Sequence, residues 1–194
     1  MRQDMAQATR KAVRASGGRP VAVGNLHVTL AFLGSVPERR LPELAAMARA
    51  MALIPALATA NGPGSARSTA DSAEYLGVRL AISFERLEHW RPAQLLCALP
   101  AEPPAPIVAL ARRLQERLAA CGFAPDLKPF RPHVTVVRKV SRPGRIHKMQ
   151  RVVWSFAELA LIESRTLPEG ASYSVVEALP LCGGKKTANN SETP

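Results

Sequence analysis

The sequence predicts a mixed α+β fold of two pseudo-symmetric lobes, and three observations lead there. Two extended runs, NLHVTLAFLG at 25–34 and FRPHVTVVRK at 130–139, carry the same H-x-T pattern among β-branched and apolar residues. Each run follows an amphipathic helical stretch that ends near glycine. His27 and His133 lie 106 positions apart, and sliding the chain by that amount lays RQDMAQATRKAVRASGG on VALARRLQERLAACGFA without a gap. A supersecondary unit used twice packs as two lobes about a pseudo-two-fold, which brings its equivalent strands together across a cleft.

The elements follow in order. Residues 2–16 form a first helix with Met5, Ala8, Ala12 and Val13 on its apolar side, stopped by Gly17-Gly18. Residues 21–34 are extended and closed by Gly34. A second helix over 36–54 is entered near Pro37, and the small, breaker-rich 59–73 is a loop. Strand-like runs LGVRLAISFERLEHW and AQLLCALP are separated by Arg91-Pro92. The clearest helical pattern spans 103–122, with prolines at its start, Ile107, Leu110, Leu114 and Leu118 at helical spacing, and a glycine at its end. After the second extended run come a basic turn and two closing strands, FAELALIESR and SYSVVEALPL. Residues 1–182 thus make one two-lobed unit, and the polar 183–194 is a disordered tail.

The repeat also exposes a gap. AQLLCALP precedes the second helix, and its counterpart in the first unit would fall before Met1. The first lobe is therefore expected to lack the first strand that its twin has, leaving a sheet position open.

Bulk properties narrow the function. A chain of 194 residues with 47% hydrophobic content supports a packed core. A net charge of +11 favours polyanionic partners such as RNA or phosphorylated ligands. Three cysteines without C-x-x-C spacing argue against a disulfide framework or zinc site and suit a reducing cytoplasm. No run approaches the roughly 20 apolar residues of a membrane span, and the N-terminus has no apolar export segment.

Strand alternation puts His27 and Thr29 on one face, with Val28, Leu30 and Phe32 on the other. It likewise aligns Arg131, His133, Thr135 and Lys139 opposite Phe130, Val134 and Val136. The apolar sets suit the helices, so the polar sets share the other side. Paired histidines suit acid–base phosphoryl transfer, because imidazole and imidazolium are both accessible near neutral pH. Threonine hydroxyls and a guanidinium can hold the non-bridging oxygens. No carboxylate or cysteine accompanies either motif at metal-ligand spacing, and no G-x-S-x-G elbow is present. His89 and His147 lie outside the repeat and are expected on the surface or in loops, with Trp90 a candidate base-stacking platform.

These two motifs, with ALIESR and YSVVEALPL near the C-terminus, resemble the 2H phosphoesterase superfamily, most closely the LigT-like bacterial RNA 2′,3′-cyclic phosphodiesterases, also called 2′-5′ RNA ligases. The resemblance implies a two-lobed α+β fold, with antiparallel sheets lining a central cleft and helices outside. It implies hydrolysis of RNA 2′,3′-cyclic phosphate ends to 2′-phosphomonoesters, with no metal and no cofactor. His27 would be the proton donor, His133 the proton acceptor, and Thr29, Thr135 and Arg131 the phosphate contacts. Partners would be RNA ends or small cyclic nucleotides, met by a monomer away from any membrane. The alternatives are a relative acting on another cyclic or 2′-5′-linked phosphate, and a non-catalytic RNA-binding module.

Overall fold

The computed structural model describes residues 1–52, 80–123, 129–142, 148–156, 158–167 and 170–180. The predicted loop at 59–73, His147 and the tail lie outside the described residues.

Helix α1 (Arg2–Ala15) buries Met5, Thr9 and Ala12 along one stripe. The Thr9 hydroxyl, itself buried, donates to the Met5 carbonyl at 2.8 Å, so the stripe carries no unsatisfied polar group. Past the helix the chain turns at Gly17 (φ +62°), and Gly18 comes so close to the next layer that a Cβ would stand 2.7 Å from the Arg138 carbonyl oxygen. Only glycine admits that approach. It lets the two-residue strand β1 (Arg19–Pro20) lie along the sheet edge, where a proline without an N–H is tolerated.

Residues 21–34 correct the sequence reading in part. Val23–Asn25 is a 3-10 turn, and the first H-x-T motif touches the sheet through a single antiparallel bridge, Val28 to Val134. Among the described residues no ladder pairs with positions 29–34, and Phe32 is 65% exposed. Extended backbone that meets no partner ladder among the described residues is not a strand there.

Helix α2 (Leu41–Ala52) is entered through a 3-10 turn at Glu38–Arg40. The strand-like run around position 85 divides into β2 (Leu80–Phe84) and β3 (Arg86–Trp90), which join different sheets. β4 (Leu95–Leu99) follows the Arg91-Pro92 turn as expected. Helix α3 (Ala105–Ala120) buries Ile107, Leu110, Ala111, Leu114 and Leu118, the predicted stripe with one addition. Arg40 closes its C-terminus, donating to the Cys121 and Gly122 carbonyls while its guanidinium lies 3.8 Å from the Phe123 ring centroid. A cation at helix C-terminal carbonyls satisfies orphan acceptors and meets the negative end of the dipole.

The second motif enters β5 (Val134–Arg138), and β6 (Val152–Phe156) is a strand the sequence reading missed. β7 (Glu158–Leu167) and β8 (Gly170–Pro180) form a long antiparallel ribbon at the predicted place. The main sheet runs β1-β5-β4-β3, all antiparallel, and β2 pairs with β6. Their apolar faces meet in one core built around Met5, Ile82, Phe84, Leu118, Val134 and Val137, each no more than 1% exposed. The protein is thus α+β with antiparallel sheets, as the sequence predicts. No helix among the described residues is long and apolar enough to cross a membrane.

Candidate active site

The bridge between Val28 and Val134 sets the site's geometry. Both valines point toward the core. A regular antiparallel register carried one residue either way from this bridge would set His27 opposite Thr135 and Thr29 opposite His133. In that register each histidine would face the threonine of the other motif, on the side away from the core. Diagonal positions in such a pair stand roughly 7–8 Å apart, which leaves room for a phosphate between the two imidazoles.

Both rings are held the same way. His27 Nδ1 lies 2.7 Å from the Asn25 carbonyl oxygen, and His133 Nδ1 lies 2.7 Å from that of Arg131. A carbonyl only accepts, so each Nδ1 carries the proton and donates it. Each Nε2 is left as the nitrogen available for chemistry.

The surroundings break the symmetry of the repeat. His27 is exposed, and the edge of the Tyr173 ring meets it at a centroid distance of 5.2 Å. His133 is half-buried beneath Trp90, 4.5 Å away and tilted by 54°. Burial lowers the His133 pKa from the ordinary histidine value, the Arg131 carbonyl opposes that shift, and the positive charges of His27 and Arg131 reinforce it. His133 is thus favoured in its neutral form.

Around His133 lies a polar cluster. Glu88 on β3 pairs with the Arg131 guanidinium at 3.1 Å and accepts from Trp90 Nε1 at 2.8 Å, while Arg131 lies 5.2 Å from the Trp90 ring centroid. Thr135 stands across from Cys97, its hydroxyl 3.8 Å from the thiol. Burial, tempered by the Thr135 hydrogen bond, pushes the Cys97 thiol up to about 11, so it stays protonated.

The structure brings the two H-x-T motifs side by side through the Val28–Val134 bridge and seats Arg131 beside His133, engaged by Glu88. His89 is corrected: it belongs to β3 rather than to the surface or a loop, opposite Leu96, with Nε2 buried and unpartnered among the described residues. Alternation along β3 turns it away from the face that carries Glu88 and Trp90. Lys139 is also corrected. The ladder pairs Cys97 with Thr135 and Leu96 with Val137, so Val136 is an extra, bulged residue. Val136 and Val137 are both buried, and the alternation resumes with Arg138 on the Thr135 side. Lys139 leaves the strand at φ +54°. Tyr173, Glu88, Cys97 and Arg138 escaped the sequence reading, and only Glu88, beside Trp90 in LEHWRP, had a local signal. No group of three or more His, Cys, Asp or Glu among the described residues could hold a metal ion.

Comparison with known proteins points the same way. The sequence pattern of the 2′-5′ RNA ligase superfamily matches residues 3–166. A curated relative from Escherichia coli K12, named RNA 2′,3′-cyclic phosphodiesterase, is 30% identical over 64% of this chain and 57% of its own length. One of the same name from Thermus thermophilus is 27% identical over 94% of this chain and 85% of its own. The chain thus spans little more than half of the E. coli relative and most of the Thermus one. Among solved structures, E. coli LigT complexed with 3′-AMP superposes with a TM-score of 0.71 at 22% identity, covering 94% of this chain and 91% of that one. A crystal structure described as a phosphoesterase gives 0.72 at 22% identity, with 94% of both chains covered. At that identity the superpositions speak for the fold.

Proposed function

This chain belongs to the 2′-5′ RNA ligase superfamily, and from that membership and the paired imidazoles we propose that it hydrolyses RNA 2′,3′-cyclic phosphate ends to 2′-phosphomonoesters without a metal. In this reading the cyclic phosphate sits between the two Nε2 atoms, with Thr29, Thr135 and Arg131 holding its non-bridging oxygens. His133, favoured in its neutral form by burial, takes a proton from water as the water oxygen bonds to phosphorus. The bond from phosphorus to the 3′ oxygen breaks, and the His27 imidazolium gives its proton to that oxygen. The phosphate stays on the 2′ oxygen, and solvent returns both rings to their starting states.

The observation that carries the proposal is the antiparallel bridge from Val28 to Val134, which sets the two H-x-T motifs side by side. An antiparallel register continued from that bridge sets each histidine against the other motif's threonine and suits an in-line displacement, with acid and base on opposite sides of one phosphorus. The curated relatives that share this name support the substrate class. Arg131 leaves Glu88, or shares itself with it, when phosphate enters. Residues 1–182 act in this reading as one two-lobed unit, a cytoplasmic monomer that meets RNA ends or small cyclic nucleotides.

Incubation of the chain with 2′,3′-cyclic AMP and excess chelator is expected to give 2′-AMP, identified by chromatography against both isomers. Absence of turnover, or 3′-AMP as the product, contradicts the proposal. The acid limb of kcat/KM has a sign. Protonation removes the base, so the rate falls as pH falls through the His133 pKa. Because that value is lowered, half of the plateau rate is expected below pH ~6.5, the ordinary histidine value. An acid limb centred above neutrality would remove His133 from the role of base.

A further inference from the structure

Resting on the phosphodiesterase reading, we propose that Glu88 selects by charge: it keeps a fixed carboxylate beside the phosphate site, which weakens binding of the dianionic 2′-phosphomonoester product more than that of the monoanionic cyclic substrate and so favours product release.

Placement is the first support. In the ladders Glu88 stands opposite Cys97, and Cys97 opposite Thr135, so the three form one row across β3, β4 and β5. Residues directly opposite one another in a sheet share a face. Glu88 is thus on the side that carries Thr135, two strand spacings or roughly 10 Å away at the backbone. Its side chain closes much of that gap, with Arg131 Nη2 at 3.2 and 3.1 Å from its two carboxylate oxygens.

The way the carboxylate is held is the second. Trp90 Nε1 donates to it at 2.8 Å, and the Trp90 ring packs against His133. Arg86, two residues back along β3, approaches it at 3.7 Å. An exposed glutamate paired with one arginine alone would be loosely held. Here the bond from Trp90 remains when Arg131 turns to a phosphate, so the negative charge stays beside the site.

Phosphate chemistry gives that charge a use. The cyclic diester is a monoanion, whereas a phosphomonoester approaches a dianion above its second pKa of ~6. A site formed only by Arg131 and the His27 imidazolium, in a chain of net charge +11, would bind the higher charge more tightly and be held by its own product. Coulomb energies scale with the ligand's charge, so a fixed carboxylate opposes the dianion about twice as strongly as the monoanion. Arg131 and Arg86 share this carboxylate, which leaves the locality cationic and still attractive to the substrate.

The test measures KM for 2′,3′-cyclic AMP and the inhibition constant of 2′-AMP in wild type, E88Q and E88D at about pH 8, where the monoester is a dianion. Gln can still accept from Trp90 but carries no charge. E88Q is expected to lower KM about threefold and the inhibition constant about tenfold, roughly the square of the first factor. The ratio of inhibition constant to KM should therefore fall about threefold. E88D keeps the charge and should keep the wild-type ratio. A merely structural role for Glu88 would move both constants alike. A ratio that does not fall in E88Q, or that falls as far in E88D, overturns the inference. If wild type does not turn over cyclic AMP, the phosphodiesterase reading fails by itself. The cyclic nucleotide is then a stable ligand, and calorimetric dissociation constants for it and for 2′-AMP take the place of the kinetic ones. The same fall in the ratio is expected, the same results overturn the inference, and a wild type that binds neither nucleotide overturns it as well.

Discussion

Replacement of His133 by Gln is expected to lower kcat/KM on a 2′,3′-cyclic nucleotide by roughly 10³-fold, within the range attributed to general acid–base catalysis. Gln keeps a polar side chain near the Arg131 carbonyl but has no basic nitrogen with which to take a proton from water. The fold should survive. His133 is only half-buried, and the strand is anchored by Val134, Val136 and Val137 beneath it, each no more than 3% exposed. A stability change near 1 kcal/mol is expected, as for an ordinary substitution outside the core. Circular dichroism and thermal unfolding alongside the assay separate the two effects. Activity within tenfold of wild type in a folded H133Q would remove the proposed base.

His27→Ala is expected to cost as much, for the complementary reason. Without an acid the 3′ oxygen leaves as an alkoxide. Its neighbour across the strand pair, Thr135, can hold phosphate oxygens but cannot protonate a leaving group at neutral pH. His27 is exposed and stands outside any regular strand, so its loss should leave unfolding almost unchanged. A substrate with a leaving group that needs no protonation separates the roles: H27A should recover much of its rate on it and H133Q should not. Equal recovery in both would contradict the assignment of acid and base.

Much of this site is legible in the chain itself. His27, Thr29, His133 and Thr135 are found because the same helix–glycine–strand unit occurs twice, and a two-fold use of a unit brings equal positions together. The bulge is not legible: VTVV reads as a regular strand, and any of its β-branched residues could be the extra one. Alternation carried across Val136 therefore points to Lys139, where the ladder points to Arg138. Tyr173 and Glu88 become visible only when distant segments meet, β8 with the first motif and β3 with the second. Nor could symmetry in the sequence distinguish the two histidines. Their difference lies in Trp90 and in burial, which are properties of the packed sheet.

The central claim is that two histidines on adjacent segments work as one acid–base pair on one phosphate. The kcat/KM values of wild type, H27A, H133Q and the double variant on 2′,3′-cyclic AMP with chelator present test it most directly. Groups that act as a unit are strongly non-additive, so the double variant should be no more than about tenfold slower than either single one. Losses that multiply, with the double variant slower by the product of the two single effects, would contradict the account.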